Sequence, residues 1–151
     1  MQYLSLFPGL LCGLLSVFMT SGVFAAEDWL IIPANSPDIS FAIDKSSVER
    51  SGESVQFWEK MIFSKPDVKD DSSGKMIKEK RVQRVMHCQE RTQGVVYGAI
   101  YGDDGSFITS TSFDGAQRAM TAIPPGTVAE QEFRLVCAKP SGTFFGVDFN
   151  R

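Results

Sequence analysis

Cys88 and Cys137 are the only thiols left in this chain once its apolar amino-terminal stretch is set aside, and no other feature restricts the fold as much. A covalent link between them would close a loop of about fifty residues, worth roughly 4 kcal/mol in the chain-entropy model. Whether it forms depends on the compartment, and the amino terminus addresses that. From Met1 to Ala26 there is no charged side chain. Leu10, Leu11, Leu14, Leu15, Val17, Phe18 and Met19 make a dense apolar run, and Ser21-Gly22-Val23-Phe24-Ala25 ends it with small residues at the positions a signal peptidase reads. The pattern predicts a signal peptide over residues 1–25 and an exported mature chain over 26–151 that rests in the periplasm or on the outer cell surface. Met1-Gln2-Tyr3 brings no Lys or Arg, so a retained anchor is the alternative; after cleavage no stable membrane span remains. Cys12 follows Leu10-Leu11 rather than a small residue and leaves with the leader. An even pair of cysteines in an exported chain then predicts one Cys88–Cys137 disulfide, against the alternative of two buried free thiols.

The mature length predicts a single domain. With 43% hydrophobic and 22% charged residues it has the composition of an ordinary globular protein, and a net charge of -3 argues against nucleic acid as a partner. Period-two alternation dominates. Trp29 to Ile32 reads as a first strand ended by Pro33, and Ile39, Phe41 and Ile43 mark a half-buried second. Ser51-Gly52 turns the chain into a third, whose apolar face is Val55, Phe57, Met61 and Phe63, with Gln56 and Lys60 on the other. Ser64 to Gly74 is a polar loop. Lys75 to Cys88 is a basic strand with Met76, Val82, Met86 and Cys88 on one side. Gly94 to Tyr101 and Ser106 to Ser112, joined through Asp104-Gly105, form an antiparallel hairpin. Thr127-Val128-Ala129-Glu130 has capping-box spacing, so a helix starts there with Ala129, Phe133, Val136 and Cys137 on one face. The predicted class is α+β: mainly antiparallel β-sheet with a C-terminal helix tied to the sheet by the disulfide. Phe144, Phe145 and Phe149 suggest that the last stretch docks as an extra strand.

Chemistry-bearing patterns are sparse. His87 is the only histidine, which excludes His-based triads and multi-histidine metal sites. Asp70-Asp71 and Asp103-Asp104 lie in Ser- or Gly-containing loops and read as turn chemistry; calcium needs more oxygen ligands in a fixed rhythm. No Gly-rich phosphate loop with its Lys is present, and no cofactor is expected. An enzyme would need carboxylates converging from distant segments. The charged feature above background is Lys78, Lys80, Arg81 and Arg84, preceded by Lys75: a candidate ligand-binding set, or a solvated strand whose charges discourage edge pairing. Alternation divides it, with Lys78, Lys80 and Arg84 on one side and Arg81 with Glu79 on the other.

In order and spacing the chain resembles the surface-adhesin protein E family of Gram-negative bacteria. The carriers are Trp29; Val55, Trp58 and Lys60 in one strand; Cys88 closing a basic strand; and Ile123-Pro124-Pro125-Gly126-Thr127 leading through Glu130 to Val136-Cys137. The match spans about Trp29 to Cys137, with Met120 standing where the family has an aromatic residue. The resemblance implies an antiparallel sheet with a carboxy-terminal helix and adhesion to host extracellular proteins. The expected function is a non-enzymatic binding or adhesion module recognising a protein partner through a sheet face or the hairpin at Gly102 to Ser106. The alternative is a periplasmic interaction protein with no host-adhesion role. An open strand edge would also let two copies pair as a homodimer.

Overall fold

The computed structural model describes residues 27–138 apart from Asp67; the predicted leader and the predicted docking of residues 141–151 lie outside the described residues. The elements follow in the order β1 (Trp29–Ile32), β2 (Ile39–Ser51), β3 (Ser54–Phe63), β4 (Ile77–His87), β5 (Thr92–Gly102), β6 (Phe107–Ser112), a 3-10 turn (Gly115–Gln117), β7 (Thr121–Ala122) and α1 (Val128–Val136). Each of β1 to β5 pairs antiparallel with the next, so one meandering sheet results, and β7 joins β5 at Thr92 and Gln93, beyond the stretch that β6 occupies. Local chemistry explains the order. Short connections between consecutive strands allow only antiparallel neighbours, and the longer link over residues 64–76 returns β4 antiparallel to β3 as well. Gly52 (φ +58°) and Gly105 (φ +76°) supply left-handed backbone at two of the turns. At the second, Asp104 Oδ1 accepts from Ser106 N at 2.9 Å.

Cross-strand register separates the side chains into two faces. Phe41, Met61 and Lys80 share one, as do Ile43 and Glu59, Val55 and Met86, and Phe57 and Arg84. Helix α1 covers this face, and Val136 completes a core with Ile32, Ile43, Val55, Phe57, Met86 and Ile123. Burying an aliphatic or aromatic side chain of this size contributes about 1.5–3 kcal/mol, which is what docks so short a helix. Cys88, just past β4, is bonded to Cys137, the C-cap of α1, so the disulfide ties helix to sheet.

Several details depart from the sequence expectation. Strand β2 continues to Ser51 through a bulge between Asp44 and Glu49, where the sequence showed alternation only as far as Ile43. The short β7 carried no readable alternation. Thr127 does cap α1, its Oγ1 accepting from Glu130 N at 3.3 Å, but the Glu130 carboxylate accepts from Gly126 N at 2.8 Å, one residue outside the expected reciprocal box. The buried stripe of α1 includes Glu132, 1% exposed, which no apolar periodicity announces.

Candidate binding site on the open sheet face

The face turned away from α1 is built from the even-numbered residues of β3. Trp58 stands between Asp44 of β2 and Gln83 of β4, and Lys60 between Ala42 and Arg81. Trp29 of β1 lies across from Asp44. On β5, Tyr97, Ala99 and Tyr101 continue the row opposite Gln83, Arg81 and Glu79. A second bulge, between Gln83 and Arg84, leaves Val96 unpaired with β4 and brings Tyr97 to this side. Four aromatic residues from three strands therefore face the same way.

Their geometry is specific. Trp58 and Tyr97 meet edge-to-face, with centroids 5.7 Å apart and planes at 72°. Lys60 Nζ sits 4.0 Å from the Trp29 ring centroid, and the Arg81 guanidinium carbon 5.1 Å from that of Tyr101. Glu27 accepts from Trp29 Nε1 at 2.8 Å and pairs with Arg81 Nη1 at 3.2 Å, while Glu79 holds Arg81 Nε. Asp44 is 8% exposed. Its Oδ1 accepts from Asp28 N (3.1 Å), Ser46 N (3.0 Å) and Ser46 Oγ (2.6 Å). The β2 bulge thus fixes this carboxylate, and Ser47 Oγ of the same bulge accepts from Trp58 N at 2.8 Å. Asp44, Trp58, Arg81, Tyr97 and Tyr101 surround a depression of ≈ 330 Å³, and a neighbouring one of ≈ 430 Å³ extends over Gln83, Ser112 and Asp114. Trp58 and Tyr97 line both.

The basic residues singled out in the sequence do not assemble into one patch. Lys78 Nζ donates to Ser64 O at 3.2 Å, and Lys80 Nζ lies 5.5 Å from the Phe63 ring centroid. Lys75 is bound to Asp104 and Ser106 at the hairpin. Arg84 is enclosed between sheet and helix, where its Nε donates to Glu59 Oε2 at 2.7 Å, so its guanidinium is committed to the interior. Arg81 alone of the set lines the depression. His87 is half-exposed, with Nδ1 3.4 Å from Glu90 Oε2.

Two carboxylates from distant segments do converge, a feature the sequence reading named only as a requirement. Glu59 and Glu132, each 1% exposed, approach Arg84, with Glu132 Oε2 3.7 Å from Arg84 Nε. Burial, reinforced by the Glu59 charge and opposed by Arg84, pushes the Glu132 carboxyl up to about 8. Glu59 takes the closer hydrogen bonds to Arg84, while Glu132, raised to about 8, keeps its proton at neutral pH. Buried Glu132 Oε1 has no hydrogen-bond partner among the described residues. Neither carboxylate lines either depression. The odd rhythm of β3 runs through Glu59, and Glu132 stands midway between Val128 and Val136 at helical spacing; those were the signals available. Among the described residues, no three His, Cys, Asp or Glu side chains group as a metal would need.

Residues 29–138 match the family model for surface-adhesin protein E. The chain belongs to the surface-adhesin protein E family. Within it, a crystal structure of Haemophilus influenzae protein E superposes with TM-score 0.50 at 14% identity, over 64% of this chain and 79% of that one. Protein E from non-typeable Haemophilus influenzae gives 0.49 at 12%, over 76% and 85%. At such identities the first likeness speaks for the fold alone. No curated protein matches by sequence. Membership agrees with the resemblance carried by Trp29, the β3 pattern and the Pro124-Pro125-Gly126 entry to α1.

Proposed function

We propose that this chain is an exported, non-enzymatic adhesion module whose open sheet face holds proteins outside the cytoplasm, host extracellular proteins included. The observation that carries the reading is the cluster of Trp29, Trp58, Arg81, Tyr97 and Tyr101 on one half-exposed face of a rigid sheet. Trp, Tyr and Arg are the residues that dominate binding energy at protein interfaces, because each covers a large area at low entropic cost and keeps a polar handle. Family membership supports the same reading. The sealed position of Glu59 and Glu132 supports a structural rather than catalytic role for them, since a general acid must reach its substrate.

Two measurements test this. Binding of the purified protein to immobilised extracellular matrix proteins should weaken by about 2 kcal/mol in Trp58→Ala, the scale of an interface anchor. External protease should remove the protein from intact cells while a periplasmic control survives. Unchanged binding in Trp58→Ala would take the open face out of the reading, and protection in intact cells would take away surface adhesion.

A further inference from the structure

Asp44 combines deep burial with a free acceptor. The residue is 8% exposed, Oδ1 is taken by Asp28 N, Ser46 N and Ser46 Oγ, and Oδ2 takes no hydrogen bond among the described residues although Asp44 lines the depression. That oxygen opens to the depression and is available to a hydroxyl donor on a ligand, since a carboxylate oxygen accepts. Arg81 is its complement. Nε and Nη1 are held by Glu79 and Glu27, whereas Nη2 makes no hydrogen bond among the described residues, and a guanidinium can only donate. A ligand seated here must therefore donate to one wall and accept from the other.

Charge narrows the class further. The lining carries both signs, Glu27 and Asp44 against Arg81, while Lys60 is held over the Trp29 ring and Glu79 on Arg81. A ligand of a single charge would face a like charge in this lining, whereas a neutral one bearing both donors and acceptors meets each wall without one. The protein's own cations already cover Trp29 and Tyr101. Trp58 and Tyr97, which carry no such cation, form the corner shared by the two depressions. A neutral molecule with hydroxyls that both donate and accept, and with a C–H face that packs on aromatic rings, is a sugar. At ≈ 330 Å³ the first depression falls at the lower end of ligand pockets, about 300–1,000 Å³, and the second continues it.

Resting on the reading that the open face is the contact surface, we infer that the Asp44–Arg81 depression is a saccharide subsite. Asp44 Oδ2 accepts from one hydroxyl, Arg81 Nη2 donates to another, and Trp58 and Tyr97 pack against the ring. A short oligosaccharide would continue over Gln83 and Ser112.

The test is to present the full protein to an array of defined mammalian and bacterial oligosaccharides, and to matrix glycoproteins before and after enzymatic deglycosylation. Asp44→Asn keeps a carbonyl oxygen for Asp28 N, Ser46 N and Ser46 Oγ and places an amide where the free acceptor stood. It should weaken glycan binding about ten- to a hundred-fold, the scale of a hydrogen bond to a charged group; the three donors it retains lose a charged acceptor, so its thermal midpoint falls as well and binding is compared on folded protein. Tyr97→Leu, which preserves apolar volume without the flat ring, should also weaken it and remains informative if the first variant misfolds. Absence of array binding, or equal binding by both variants, overturns the subsite. If deglycosylated matrix proteins are still held under those conditions, the ligand is polypeptide and the adhesion reading stands. Loss of binding to the matrix proteins in every form sinks the adhesion reading as well.

Discussion

Arg84 belongs to a run of Lys and Arg that reads as a solvated strand, yet it carries the charge balance of the interior. The difference lies in what the helix brings: Glu132 descends onto the sheet where Arg84 and Glu59 already face each other. Removing one partner of a buried pair strands the other charge, so Arg84→Met should cost about 3–5 kcal/mol in urea unfolding. Glu132 predicts the opposite sign. Its carboxyl lies near 8 when folded against an ordinary value of 4.5. Between those pH values the folded chain holds a proton that the unfolded chain has released, so stability from this group is full below about 4.5 and is lost as pH rises towards 8. The carboxylates Asp70, Asp104 and Glu130 are held below their ordinary range by hydrogen bonds and titrate beneath that window. Thermal midpoints measured from pH 5 to 8 should fall for the native chain and fall less for Glu132→Gln, which should be the more stable at pH 8. Parallel profiles would show that Glu132 is ionised in the fold.

Among the elements, α1 depends most on its ends. It has only nine residues, too few to persist alone in water. Its first turn is held by Thr127 Oγ1 on Glu130 N and by the Glu130 carboxylate near Arg91 and Arg134. Its last turn is held from β2: Arg50 Nη2 donates to Val136 O and, at 3.0 Å, to Ala138 O, placing a cation where the helix dipole favours one. Thr127→Ala should therefore cost about 1 kcal/mol in chemical unfolding, with Thr127→Ser recovering most of it. The start of α1 is legible in Thr127 and Glu130, and β3 to β6 in alternating apolar residues and Gly-containing turns. The second half of β2 is not, because its bulge interrupts the period of two. Nothing within β2 marks Arg50 as a helix cap, since its acceptors lie 86 and 88 residues away.

At the scale of the molecule, one sheet carries two different surfaces, a helix-covered face and an aromatic open one, and the Cys88–Cys137 bond holds the cover in place. Cys88→Ser with Cys137→Ser should lower stability by about 2–5 kcal/mol, the usual cost of removing a disulfide from a small exported domain. The loss should be read as a lower urea midpoint. A midpoint unmoved by the double substitution would show that core packing alone secures α1.

The chain's own periodicities, turn glycines, cap residues and cysteine pair determined the strands, the hairpin, the helix start and the disulfide, because each of these depends on neighbours within a few residues or on which partners exist. Only the tertiary structure decided what each face became. Alternation divides a strand's residues between two sides without saying which one a helix covers. Glu59, Arg84 and Glu132 became interior, and Trp29, Asp44, Trp58, Arg81 and Tyr97 came together on the open face, through long-range register and bulges that no local pattern encodes.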